Sequence, residues 1–487
     1  MSDTRALVGV LAALCAACGS TSEPTDAGSA ALIDGGVPFD VGTEDAGSVT
    51  PDAGPSDAGD LGPSDGGVLD VGGEDVGMSA DAGAADGGAP AARCAPLPAP
   101  SGTVVRLSPS DVRSLAQTVR SAASGTTILL EDGTYTLRAS DGRLRFHTPG
   151  VSLRGASGDA TKVIIDADYV VDTLVYITVG DITVSDLTLT HAVDHLVHVT
   201  ADGDATSNPT GVNLYRIRLI DGGEQFVKGN SNGADTAFPD EGSVECSYFE
   251  LTDAGRPHIE RNPGGCYTGG IDVHEGRDWV VRDNEFHDIY CAGEGLAEHA
   301  IHFWRGARDT LIERNVIVNC ARGIGLGLLQ AGAGRTYDPD PYPGVAPVGH
   351  FGGMVRGNVI YSDIPYYDTG IELQQAHKVR VLHNTVVSEA SATGRYTSID
   401  ARFANTDAYI ANNLARRFTN RNGATEMRVT NLSGATPSLL VDPANGDFHL
   451  SASATDAIGQ GTPLSDGGED LDGDARGSPP DIGADQR

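Results

Sequence analysis

The chain has 487 residues, with 67 acidic against 33 basic side chains and a formal charge of −34. A polyanion would be repelled rather than steered in, which excludes nucleic acid as a partner. The 64 glycines and the 6% aromatic content suit one large, elongated, turn-rich domain with extensions.

Residues 1–18 read MSDTRALVGVLAALCAAC. The apolar run from Ala6 to Ala17 is too short to span a membrane and reads as a signal peptide. Its end, Leu14-Cys15-Ala16-Ala17-Cys18-Gly19, resembles a bacterial lipobox, although Cys15 stands where Leu is usual. The resemblance implies lipidation at Cys18 and an outer-membrane or cell-surface lipoprotein; an ordinary cleaved signal is the alternative. No later segment has 18 consecutive apolar residues, so membrane contact is expected through the lipid only.

Residues 19–93 repeat Asp-x-Gly steps, and the stretch from Gly19 to Ala92 contains 15 acidic residues and no Lys or Arg. Low hydrophobicity with charge of one sign predicts a disordered linker. A flexible chain of this length spans on the order of 50 Å, enough for a stalk.

Ser108-Pro109-Ser110-Asp111 is a helix start, and Val112, Leu115, Val119 and Ala122 share a helical face, which predicts a helix over 111–123. Short strands follow, separated by polar turns. An Asn-x-apolar step recurs at Asn284, Asn315, Asn358, Asn384 and Asn412, at spacings of 31, 43, 26 and 28 residues. A period a little under thirty residues, with no helix between strands, means a solenoid. Equivalent residues then form ladders ~4.8 Å apart along the axis, and a turn Asn can bond the Asn above and below.

The Asn ladder and the strands GIDVH, AIHFW, GIGLG, GIELQ and SIDAR resemble the right-handed parallel β-helix of the pectate-lyase-like superfamily, from about Gly102 to Leu450. The expected fold is therefore all-β: a right-handed parallel β-helix over 94–460 with ten or more coils. Residues 111–123 supply its N-terminal capping helix, and residues 461–487 form an acidic C-terminal tail or cap. A cap covers the core and strand edge that the first coil would expose. The resemblance implies polysaccharide as partner, and the protein is expected to be a monomer. The fold itself hosts lyases, hydrolases and non-enzymes.

Residues 328–353 break the period with a Gly/Pro/Tyr-rich loop, expected to overhang the nearby surface. Asp470, Asp472 and Asp474 read as an acidic turn, with a bound cation as the sharper alternative. Seven cysteines are present. Cys266 and Cys291 lie about one coil apart and are expected to form a disulfide, with Cys291–Cys320 as the other pairing. Cys246 falls where the ladder Asn later stands and is expected to be a buried free thiol.

Strand alternation turns Asp272, His274, His302, Trp304, Glu372, Gln374, Asp400 and Arg402 outward. Lys228 belongs one coil before Asp272. The expectation is an exposed groove floored by Gly325 and Gly327 and flanked by Trp304, Tyr267 and Tyr290. A uronate lyase needs a base and a positive charge against the substrate carboxylate. His302 or His274 is the candidate base, and Lys228 or Arg305 the neutralising cation. Tyr267, Trp304, Arg305, Gln374 and Arg402 would bind sugar. Asp272 and Glu372 would repel a uronate unless Ca²⁺ bridged them. Glu298 and His299 are either a surface metal pair or simply solvated. Glu372 with Asp400 is the one facing carboxylate pair suited to a glycoside hydrolase. A non-catalytic, carbohydrate-binding surface protein is the other alternative.

Overall fold

The computed structural model describes residues 93–487, apart from 204, 206, 261–265, 294, 329–333, 346–347, 391 and 393–396. The signal segment, Cys18 and the linker through residue 92 lie outside the described residues. The chain winds as a right-handed parallel β-helix. Each coil visits three sheets in turn, as in Val197–Val199, Asn213–Tyr215 and Arg218–Ile220. Among the described residues the first sheet has ten strands, the second fourteen and the third eleven, and their pairings are parallel.

The core is made of inward ladders. Ile271, Ile301, Ile324, Ile371 and Ile399 are register partners along the first sheet and are all buried. Each contributes roughly 1.5–3 kcal/mol by leaving water. Phe226, Phe249 and Phe286 stack inside, the last two with centroids 4.3 Å apart. The helix forms at Val112–Ser121, entered through a capping box between Ser108 and Asp111. It buries Leu115 and Val119 and packs on Leu144–Phe146, the terminal strand of the first sheet, as a cap should.

The Asn ladder stands at the turn from the second sheet to the third. Side-chain amides of Asn284, Asn315, Asn358 and Asn384 each donate to the next Asn Oδ1 at 2.9 Å. One correction concerns its register. Asn413 is the ladder residue, donating to Asn431 at 3.0 Å. Asn412 stands one place earlier, in the left-handed position of the turn (φ 56°). Asp283, Arg314 and His383 occupy the same left-handed position on other coils, and so does Cys246 (φ 55°). Ser247 is the residue at the ladder site, its N–H donating to Asn284 Oδ1. Cys246 is therefore not a buried free thiol: its side chain points away from the core and is bonded to Cys94. Residues 93–98 run along this corner as a strap, accepting from Arg154, Tyr215 and Arg216 on their way. The Cys266–Cys291 disulfide is as expected, and Cys320 is the free, buried cysteine among the described residues.

Residues 461–487 are more than an acidic tail. Ile482 and Ala484 join Val359, Tyr361, Val387 and Leu414 in a second apolar cluster on the outside of the third sheet. Asp470 Oδ1 accepts the N–H groups of Asp472 and Asp474, so the acidic run is a hydrogen-bonded turn.

Candidate functional site

Register brings Lys228, Asp272, His302, Gly325, Glu372 and Asp400 into one outward row on the first sheet. Two residues further along the strands, His274 partners Trp304, and Gln374 partners Arg402. The residues expected to carry chemistry thus share one face.

That face is closed, contrary to the expected open groove. Asp272 and His302 are 2% exposed, Trp304 3% and Glu372 5%. Neighbours on the same strand and on the adjacent coil help to close it. Trp304 stacks on His302 (5.5 Å, 6°), meets His274 edge-on (4.2 Å), and donates its indole N–H to Asp272 Oδ1 at 2.7 Å. Lys228 Nζ donates to Asp272 Oδ2 at 2.6 Å and lies 3.0 Å from His274 Nε2. The Lys228 side chain is 12% exposed and reaches solvent more than its row neighbours Asp272, His302 and Glu372.

The glycines do not floor a sugar site. A Cβ on Gly325 would come within 2.8 Å of the His299 ring, so the missing side chain makes room for His299. A Cβ on Gly327 would meet the Gln374 carbonyl oxygen at 2.0 Å. His299 is thus buried, not on the surface. It lies 3.3 Å from Glu372 Oε2 through Nε2 and 3.8 Å from Glu298 Oε2 through Nδ1. Arg322, which the sequence reading passed over, lies 3.6 Å from Glu298 and 3.2 Å from Asp368. It is the register partner of His299, so aligning the strand starts would have exposed it.

Arg305 sits at the corner after Trp304 and pairs with Glu275 at 3.4 Å. The described part of the 328–353 loop docks at that corner through Arg335 and Tyr337. Arg335 N–H donates to Arg305 O, its guanidinium reaches Asp240, and Tyr337 donates to Gly306 O. Tyr267 is half-buried beside the Cys266–Cys291 bridge, at the opposite end of the strand from His274. Near that disulfide, Tyr290 stacks on the exposed Tyr366 (4.9 Å, 9°), with Arg256 over its ring.

Burial sets the electrostatics. It would raise Asp272, but Lys228, His274 and His302 outweigh it and hold the carboxyl well below its usual range. Burial likewise works against the charge of Glu298, yet its contacts with His299 and Arg322 bring it down to about 2. Glu372 is also held low, since His299, Arg322 and Arg402 overcome its burial. Burial, with the neighbouring charge of His299, lowers His302 to about 4, so this imidazole is neutral at pH 7.

These facts decide against calcium shared by Asp272 and Glu372. The two stand three rungs apart, about 14 Å along the ladder. Asp272 is already bonded to Lys228 and Trp304, and Glu372 to Arg402 at 3.0 Å. The hydrolase pair fails for a related reason. Glu372 and Asp400 are adjacent rungs, but Asp400 is gripped by Arg421 at 2.7 Å and Glu372 stays ionised, whereas a general acid needs a raised pKa.

Fold and site together define a right-handed parallel β-helix with a polar, hydrogen-bonded ladder on its first sheet. This is the fold of pectate lyase Pel9A: the match has a TM-score of 0.52 at 14% identity and covers 80% of this chain and 98% of that one. The tailspike protein of E. coli bacteriophage HK620, solved with a pentasaccharide, matches at TM-score 0.38 and 12% identity over 67% of this chain and 62% of its own. A rhamnogalacturonan lyase matches at TM-score 0.37 and 12% identity over 68% and 87%. No protein family model and no curated protein matches this chain.

Proposed function

We propose that the protein is an exported, membrane-anchored β-helix acting on acidic polysaccharide as a lyase-like enzyme. The observation that carries this is the first-sheet row itself. Parallel coils set a cation, a carboxylate and two histidines side by side at Lys228, Asp272, His274 and His302. Thr or Ser would serve the solenoid equally well at those outward positions. In this reading the Lys228 ammonium, fixed by Asp272, meets the uronate carboxylate and stabilises the charge that develops after C5 loses its proton. His274, 3.0 Å from that ammonium, takes the proton. Of the two candidate bases His274 is the one set directly against the Lys228–Asp272 pair, its Nε2 also 3.2 Å from Asp272 Oδ2, whereas His302 Nε2 faces the Gly327 carbonyl at 3.1 Å. Trp304 orients Asp272 from below and does not stack on sugar. Tyr366 on Tyr290, with Arg402 and Arg421 further along, is the surface a sugar chain would touch. The shared fold with pectate lyase Pel9A supports a polysaccharide as the class of substrate. Two disulfides fit an oxidising compartment and so support export, with Cys18 as the lipid anchor.

Near-complete burial of Asp272 and His302 favours a second reading, a non-catalytic carbohydrate-binding surface protein. The test is incubation with a panel of acidic polysaccharides, reading unsaturated uronate ends by ultraviolet absorbance alongside glycan-array binding. Product supports the lyase; binding without product supports the second reading; neither discards both.

A further inference from the structure

Beside the Lys228–Asp272 pair, Glu298, His299 and His302 place three metal-type donor atoms within 4.8 Å of one another. We propose that these residues form a three-ligand binding site for a divalent transition ion of the zinc class, its fourth position left to a water or an exogenous ligand. The inference stands on geometry alone and does not depend on the polysaccharide reading.

His302 Nε2 faces the Gly327 carbonyl at 3.1 Å, and His299 Nε2 faces the Glu372 carboxylate at 3.3 Å. Both partners are acceptors, so each Nε2 carries a proton, and in the neutral rings each Nδ1 carries the lone pair. Outer carbonyl and carboxylate partners of this kind hold metal-bound histidines in orientation. The donors also converge: His299 Nδ1 lies 3.8 Å and His302 Nδ1 3.9 Å from the same oxygen, Glu298 Oε2. Donor atoms around a tetrahedral zinc stand about 3.3 Å apart, so side-chain rotations that close each of these gaps by roughly half an ångström bring Glu298 and the two histidines onto one ion. His299 is 1% exposed, and its Nδ1 faces Glu298 Oε2 at 3.8 Å, close enough for electrostatic attraction but too far for a direct hydrogen bond. A buried polar atom without a direct hydrogen bond calls for an explanation, and an ion at this point supplies one.

Donor chemistry chooses the ion. Two imidazole nitrogens with a carboxylate oxygen suit zinc and its neighbours, whereas calcium takes oxygen ligands. The Glu298 side chain is 24% exposed and provides the entry path. Gly325 becomes intelligible too, because any side chain there would displace the His299 ring.

The experiment is zinc titration of the chelator-stripped protein by calorimetry. A second cluster, His449 with Asp472 and Asp485, also holds metal-type donors, so every protein carries His449→Gln to remove its histidine. The expected result is one equivalent of zinc, a rise in Tm on loading, and a Co²⁺ absorption spectrum of nitrogen and oxygen coordination. His299→Gln and His302→Gln should each weaken binding at least ~100-fold, and Glu372→Gln, one shell out, about 10-fold. If a histidine variant does not fold, Glu298→Gln decides instead, because its side chain is partly solvent-exposed; it should weaken zinc at least ~10-fold. The proposal is overturned by absence of zinc binding up to 1 mM. Unchanged affinity in His299→Gln or Glu298→Gln, or displacement of zinc by an equal concentration of calcium, also overturns it.

Discussion

Replacing Asn358 by alanine tests the physical account of the fold where the ladder is deepest. Asn358 is fully buried. Its Oδ1 accepts from the Asn315 backbone N–H at 3.0 Å and from the Asn315 side chain at 2.9 Å. Its amide donates to Ile312 O, Arg356 O and Asn384 Oδ1 at 3.0, 3.1 and 2.9 Å. Alanine removes these contacts and leaves the Asn315 N–H buried without an acceptor. At ~1 kcal/mol for each lost bond and 1–3 for an orphaned donor, and allowing for non-additivity, the loss is about 4 kcal/mol. The same change at Asn431 is the internal control. Asn431 is the last rung and half-buried, so water replaces what the side chain gave, and the loss should be about 1 kcal/mol. The assay is the urea midpoint of the two variants and the parent, read on one transition. An Asn358→Ala loss below 1 kcal/mol, or equal to that of Asn431→Ala, refutes the reasoning.

Removing the cation from the buried pair, as in Lys228→Met, strands Asp272 and should cost about 3 kcal/mol at pH 7. Because the folded-state pKa of Asp272 lies below its unfolded value, the stabilisation is present above ordinary carboxylate pKa and fades as pH falls through the lowered one; the Tm gap between variant and parent should narrow in acid. His449 is raised to about 9 by Asp447, against some burial, with help from Asp472. Its stabilising contribution is therefore complete below about 6.5 and lost as pH rises through 9, and an imidazole NMR titration with a midpoint near 6.5 contradicts this. Alkylation of the unfolded, unreduced 93–487 segment should label Cys320 and no other cysteine; labelling at Cys246 counts against the strap disulfide. Cys18→Ala should move the protein from the membrane to the soluble fraction, and unchanged membrane retention removes the lipid anchor.

The repeat was legible because solenoid physics writes itself into spacing. The inward isoleucines at 271, 301, 324, 371 and 399 and the ladder asparagines recur at coil length, since only equivalent residues can stack. The outward row, from Lys228 to Glu372, was legible for the same reason. What alternation cannot supply is depth. Alternation marks a side chain as outward, not as exposed: Trp304 lies against His302 on its own strand and against His274 and Asp272 on the neighbouring coil, and the neighbours a later coil will supply are not visible in one strand. The single-residue slip at Asn412, and the placing of Cys246 on the ladder, share a cause. Two residues turn at each second-to-third corner, one left-handed and one bonded inward, and adjacent polar residues do not announce which is which. The Cys94 strap was out of reach because it crosses coils along the axis, where no periodic signal exists.

The proposed activity places a uronate-containing glycan on the first-sheet row. The most direct measurement is the rate of ultraviolet-absorbing unsaturated product from acidic polysaccharides, comparing the parent with His274→Gln and with Lys228→Met, each shown folded by circular dichroism. The expected result is product from the parent on at least one glycan and a fall of at least ~100-fold in both variants, because a proton acceptor or a charge-stabilising group is lost. Full activity in either folded variant, or absence of product on every glycan, would contradict it.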